Sequence, residues 1–157
     1  MRAVAVASNN HGNDEVVAVL VRLLGLCRDG VHGYGHAARL TNEPNLRELF
    51  SQLHTQREAC ALELEDVLWN LGMRATGAGS VIGALHSPWI EARARMAHGS
   101  RGVLEECARG DAEAIHAYRV AIESLPDGAA SRVVGEHFAT ICGAREKVMK
   151  ALAELPG

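Results

Sequence analysis

The sequence predicts an all-α fold, a four-helix bundle with one long crossover between its second and third helices. Three observations carry that expectation. Apolar residues recur at i+3/i+4 spacing in four segments, 13–40, 44–72, 101–124 and 128–154. Short turns separate the first pair and the last pair, whereas a long connector, 73–100, lies between the pairs. Hydrophobic residues make up 48 % of the 157 positions and aromatic residues 4 %, which favours an Ala/Leu/Val helical core over a β-sandwich.

Asn13-Asp14-Glu15 reads as the first helix start, a capping side chain followed by acids in the first turn. The stripe that follows is Val17, Leu20, Val21, Leu24, Cys27, Val31 and Ala38. Thr41-Asn42-Glu43-Pro44 is a tight turn and a second start, with Pro tolerated in the first turn. Leu46, Phe50, Leu53, Cys60, Ala61, Leu64, Leu68 and Leu71 form the second stripe, stopped by Gly72. The connector is rich in glycine, has Pro88 after Ser87, and carries a short helical piece at 88–97. That piece gives an alternative, a three-layer all-α fold with a fifth helix. Ser100 opens the third helix, with Leu104, Cys107, Asp111, Ala114, Ile115, Tyr118 and Ile122 on its stripe. After the turn Leu125-Pro126-Asp127-Gly128, the last stripe is Val134, His137, Phe138, Ile141, Arg145, Val148 and Leu152.

Composition bounds the function. A net charge of −3 gives no electrostatic footprint for nucleic acid. No apolar run approaches the length of a membrane span, and MRAVAVASNN is too short for a signal core, so a cytoplasmic protein is expected. The four cysteines form no CxxC pair, hence neither a zinc knuckle nor a thioredoxin-like motif.

Charged and titratable side chains interrupt three of the apolar stripes: Arg57, Asp111, His137 and Arg145. A charge facing a helical core must be paired or neutralised, so these positions mark a polar centre. Counted at about 1.5 Å per residue from the hairpin turns, they and Val31 fall within about 10–12 Å of one level. Asp111 is expected to accept from Arg57 or Arg145. Tyr34, among Gly30, Gly33 and Gly35, joins this network or ligand pocket. The glycines weaken the first helix and imply close approach of another element, Trp89 of the connector being the candidate. Burial beside two arginines is expected to lower the His137 pKa.

Four stretches carry a resemblance: CRDGVHGYGHAA (27–38), LRELFSQLHTQREACALEL (46–64), GSVIGALHSPW (79–89) and VLEECARGDAEAIHAY (103–118). The chain resembles, over roughly 15–152, an uncharacterised bacterial family of ferritin-like four-helix-bundle proteins. The resemblance implies the fold and, by analogy with ferritins, a stress-related or metal-related role. It also implies a Glu near position 31, a Glu at 111 and a His near 145, where this chain has Val31, Asp111 and Arg145. A dinuclear iron or manganese centre needs inward acids and Glu-x-x-His pairs on several helices. The single pair here, Glu113 and His116, lies off the apolar stripe and should face water.

Other constellations are weaker. Asp29, His32 and His36 share a face of the first helix at i, i+3 and i+7, either as an exposed polar face or as an outward metal site, alone or at a dimer contact. Cys27, Cys60, Cys107 and Cys142 fall one per helix, the first three on or beside the core line; buried free cysteine is common as a small hydrophobe, and a soft-metal centre is the alternative. Leu23, Leu62 and Trp69 are apolar outer positions that could mark a homodimer. The sequence therefore points to a non-catalytic ferritin-like bundle, stress-associated or interacting, with a central salt-bridge network and no cofactor. The alternatives are an atypical iron or manganese carboxylate protein and a binder of a small anion or other small ligand between the helices.

Overall fold

The computed structural model describes residues 2–73 and 95–157. Among them are four long helices and no strand: α1 (Arg2–Leu40), α2 (Pro44–Asn70), α3 (Gly99–Ser124) and α4 (Ala129–Glu154), with a 3-10 turn at Met96–His98 before α3. The proposed 88–97 helical piece falls mostly outside the described residues, as do Pro88 and Trp89.

Three of the four helix starts, and the end of α2, follow their local signals. Pro44 occupies the first turn of α2, where its missing N–H costs nothing, and Arg47 reaches back to the Thr41 carbonyl at 2.9 Å. Gly72, at φ +87°, ends α2: its N–H bonds the Trp69 carbonyl, and the Met73 N–H bonds the Leu68 carbonyl. This doubly bonded glycine cap satisfies carbonyls that the helix end would otherwise leave open. At α4, Ser131 accepts from the Gly128 N–H at 3.0 Å. The third helix starts at Gly99, one residue before the expected Ser100.

The fourth start differs. Helix α1 begins at Arg2, not at Asn13. Nothing before Asn13 breaks a helix, and a cap residue contributes only about 1 kcal/mol where the chain has already left the helical conformation. Asn13 instead donates its side-chain amide to the Leu71 carbonyl, at the far end of α2. The Cys27–Gly30 stretch is likewise continuous helix.

Side-chain pairs fix the directions. Asn13 meets Leu71, Arg28 pairs with Glu65 and Val31 meets His54, so α1 and α2 run antiparallel. Cys27 meets Tyr118 and Tyr34 meets Asp111, so α1 and α3 are antiparallel as well. Tyr118 meets His137, and Arg145 meets Ala108, which makes α3 and α4 antiparallel. Ser100, in the first turn of α3, donates to Glu43 beside the first turn of α2 at 2.7 Å, tying two helix starts together.

The interior divides into two apolar clusters. One holds Leu20, Leu24, Leu64, Leu68, Tyr118, Val134 and Ile141; the other holds Phe50, Leu53, Leu104, Cys107, Ala144 and Val148. Arg57 lies on α2 between the two sets, and Asp111 does the same on α3. Leu23, expected on the outside, is buried, because α1 packs against both α2 and α3 and its covered arc is wide. Ile122, expected inside, is 40 % exposed, since Ala121 and Leu125 take the inward places at the end of α3.

The glycines separate cleanly by environment. A methyl group on Gly30 would stand 3.1 Å from Arg57 Cγ and 3.2 Å from Cδ, whereas one on Gly143 meets nothing within 4 Å among the described residues. Gly143→Ala is therefore expected to raise stability by about 0.5–1 kcal/mol, the helix-propensity gain. Gly30→Ala is expected to lower it, overpacking of this kind costing about 1–3 kcal/mol, because Arg57 is pinned at its far end. Urea unfolding of the two variants checks this; equal gains for both would disprove the close contact.

A buried charged layer and its hydrogen-bonded neighbours

Three helices each contribute one side chain to the layer between the apolar clusters. On α3, the stripe Leu104, Cys107, Asp111, Ala114 and Tyr118 turns Asp111 inward with its apolar neighbours. On α2, Arg57 sits between Leu53 and Cys60 on the same kind of stripe. Arg57 donates through Nη2 to Asp111 Oδ1 at 2.5 Å, and Tyr34 of α1 donates its hydroxyl to Oδ2 at 2.5 Å. All three are buried, Arg57 to 1 % exposure and Asp111 to 3 %. Gly30 gives the arginine stem room: the two methylenes nearest its guanidinium lie where a side chain at position 30 would have to go.

The electrostatics explain why such a layer is not a simple source of stability. Burial raises the Asp111 pKa above the ordinary carboxylate value, against the pull of Arg57, the Tyr34 hydroxyl and the more distant Arg145. Burial works to lower Arg57, but Asp111 together with Tyr34, Cys27 and Cys60 outweighs it, so the guanidinium is held charged. Burial and the Asp111 charge both raise the Tyr34 phenol, which stays a proton donor at neutral pH. Desolvating two ions offsets most of their attraction; losing one of them leaves the other stranded. Among the described residues, Arg57 Nε has no hydrogen-bond partner.

The other expected members take different places. Arg145 is half-buried and donates to the Ala108 carbonyl at 3.4 Å, acting on Asp111 only through its field. His137 is buried but belongs to a second chain of contacts: its Nδ1 lies 3.3 Å from the Tyr118 hydroxyl and its Nε2 3.3 Å from Glu63 Oε2. The Tyr118 hydroxyl in turn lies 3.1 Å from Cys27 Sγ. Burial lowers the His137 pKa, and Glu63 and Glu136 oppose that only in part. Glu113 and His116 are exposed; Asp29 and His36 are half-buried and His32 is exposed. Among the described residues, no group of three or more His, Cys, Asp or Glu side chains is arranged to hold a metal ion.

Sequence reasoning missed two features. Glu106 is a second buried acid, gripped by Arg95 at 2.8 Å and by Arg109. Burial pushes its carboxyl up, but the hydrogen bonds from Arg109 and Arg95 prevail and hold it below the ordinary value. The i, i+3 spacing of Glu106 and Arg109 was the available signal; the reach of Arg95 from before α3 had none. Glu63, exposed on α2, gave no sign that it would meet a buried histidine. A small cleft opens beside the layer, with Gly30, Gly33, Tyr34, Arg57, Cys107 and Asp111 in its wall.

Two outcomes test this layer. Asp111→Ala is expected to cost about 3 kcal/mol or more in urea unfolding, whereas replacing Tyr34, Arg57 and Asp111 together by Phe, Met and Leu costs much less. Equal losses would show that the layer itself stabilises the fold. An NMR titration of His137 is expected to give a pKa below 6.5. Its folded value then lies below its unfolded one. Its contribution is present in full above about pH 6.5 and is lost as pH falls toward the folded value, because the unfolded chain takes up the proton first. A pKa above 6.5 would mean that Glu63, not burial, governs the ring.

No curated protein matches the chain. Residues 15–124 match a family described as a domain of unknown function (DUF2383). The matched segment contains Tyr34, Arg57 and Asp111 and ends with α3. It spans well over half of the sequence, and the chain belongs to this family.

Proposed function

We propose that this chain is a non-catalytic, ferritin-like four-helix bundle, a stress-associated or interaction protein of the cytoplasm, in which a salt-bridge layer stands where related bundles would hold two metal ions. The observation that carries this reading is the closed state of Asp111. Both of its oxygens are taken, one by Arg57 and one by Tyr34, at 2.5 Å each. A carboxylate so engaged has no oxygen directed to a cation, and a guanidinium in the same space repels one. Glu106, the second buried acid, is engaged by two arginines in the same way. The donor set therefore does not suit a dinuclear iron or manganese centre, which needs several free anionic oxygens.

The ferritin-like topology is supported by the order of side-chain pairs. Helix α1 pairs in reverse order with both α2 and α3, so α2 and α3 run in the same sense. A link between two parallel helices must return along their length, which is a long crossover. No helix among the described residues is long and apolar enough to cross a membrane. The interaction role rests on Leu62 and Trp69, one heptad apart on α2 and each 61 % exposed, an outer apolar stripe suited to a homodimer.

A second reading, a small-anion or small-ligand binder, is favoured by one observation. The cleft reaches Arg57, whose Nε lacks a partner among the described residues.

Native mass spectrometry with elemental analysis, on protein purified without an affinity tag, separates these readings. The expected result is a metal-free chain, dimeric through the α2 stripe. Two iron or manganese ions retained per chain through gentle chelation would overturn the salt-bridge reading. A retained small organic or anionic adduct, lost in Arg57→Met, would replace it with the ligand-binding one.

A further inference from the structure

Cys27 on α1 and Cys60 on α2 are buried at one level of the contact between these antiparallel helices. Both belong to the larger apolar cluster, and each thiol perturbs the other's pKa. Their setting follows from helix register. Gly30 lies three residues after Cys27, and Arg57 three residues before Cys60, so the two pairs stack one turn apart between antiparallel helices. The contact at Gly30, 3.1 Å from a built methyl to Arg57 Cγ, shows how closely α1 and α2 approach at this level. Closing a disulfide here would bring the two sulfurs to about 2.05 Å.

A line of polar atoms leads from this pair to the surface. Cys27 Sγ is 3.1 Å from the Tyr118 hydroxyl, which is 3.3 Å from His137 Nδ1. His137 Nε2 is 3.3 Å from Glu63 Oε2, and the Glu63 side chain is 54 % exposed. With His137 neutral and its proton on Nε2, every link has one donor and one acceptor: thiol to phenol oxygen, phenol to Nδ1, Nε2–H to carboxylate. Neither the charged layer nor the bundle fold requires such a line.

We propose that Cys27 and Cys60 are a redox-active thiol pair that hydrogen peroxide closes to a disulfide, with Tyr118, His137 and Glu63 as positioning residues that carry the Cys27 proton to solvent. The Cys27 thiolate attacks one peroxide oxygen, and the O–O bond breaks. Sulfur becomes a sulfenic acid, and the departing hydroxide takes up a proton to leave as water. Cys60 then attacks the Cys27 sulfur; the S–O bond breaks, and the hydroxyl leaves with the Cys60 proton as a second water. Overall, two thiols are oxidised to one disulfide, and one peroxide is reduced to two waters.

The two sulfurs are unequal in the way these steps require. The neighbouring Cys60 thiol, helped by Tyr118 and by the Arg57 charge, brings the Cys27 pKa down to about 7 despite burial. The same coupling to Cys27, and burial, push Cys60 up, so it keeps its proton until the second step. Cys27 is wholly buried, and the cleft touches Leu26 and Gly30 on either side of it along α1. Access is therefore limited to a water-sized oxidant. Cys107, also buried, is pushed well up, by burial first and by the Asp111 charge next, and is unreactive by comparison.

The test uses the unmodified full chain. Hydrogen peroxide at neutral pH is expected to remove two thiols per chain and to yield a Cys27–Cys60 linked peptide, reversed by dithiothreitol, while oxidised glutathione leaves the pair reduced. Tyr118→Phe, which deletes a single hydroxyl, is expected to slow closure about fivefold at pH 7, the fall in thiolate population when a pKa of about 7 rises by one unit. Its rate should keep rising with pH where the parent chain levels off, and its unfolding midpoint serves as the check on folding. Oxidation confined to Cys142 or Cys107 would overturn the pair. Closure by glutathione disulfide as fast as by peroxide would overturn the oxidant, and an unchanged rate and pH profile in Tyr118→Phe would overturn the relay.

Discussion

The contact between Arg57 and Asp111 is the constraint around which the rest of this protein is arranged. It ties α2 to α3 across the interior, and the two apolar clusters lie on either side of it along the helices. An ion pair inside a helical core is a weak source of stability, since desolvation opposes its Coulombic gain. Its directional consequence is stronger. A guanidinium with one acceptor available admits few registers, and sliding α2 by a turn relative to α3 would strand both charges among leucines. Gly30 is part of the same constraint, since the arginine stem occupies the space of the missing side chain. So is Tyr34, which adds α1 to the contact through the second carboxylate oxygen.

Below that layer the polar groups form a different kind of system. The charged layer is closed: Asp111 is engaged at both oxygens, and its partners are buried with it. The line from Cys27 through Tyr118 and His137 to Glu63 is open at its outer end, where Glu63 meets solvent. A closed network holds register; an open one can exchange protons with water. The two share Arg57, whose positive charge lies near enough to Cys27 to favour the thiolate. A single buried cation thus serves as the carboxylate's partner and as a bias on the thiol, and that dual position links the structural layer to the reactive one.

The four stripes, the two turns and the set of inward charges were legible in the sequence, because helical periodicity and capping chemistry are local. Position on a helix wheel says that Asp111 and Arg57 face inward, and the cost of an unpaired buried charge says that they must find partners. The choice of Arg57 over Arg145 was not legible. Arg145 lies one position from the inward line, at the rim, where the Ala108 carbonyl is within reach and the core is not. His137 feels Arg57 only through its field, while its direct contacts are Tyr118 and Glu63, for a related reason. Helix register within a level of about 10–12 Å spans two turns, and one turn is enough to separate a contact with Asp111 from a contact with Tyr118.

The sequence by itself determined an all-helical chain, the ends of α2 and α4, and the residue types that must be reconciled inside. Those features depend on the chemistry of residues within one or two turns of each other. Tertiary structure decided the partners. It extended α1 to Arg2 because Asn13 could serve the end of α2 instead of its own helix. It brought Cys27 against Cys60 and Tyr118, contacts between three helices that no local pattern encodes. It set Glu106 between Arg95 and Arg109 and led the exposed Glu63 to a buried imidazole. Partner choice depends on the relative height and rotation of packed helices, and these are fixed by how all the side chains fill the space between them.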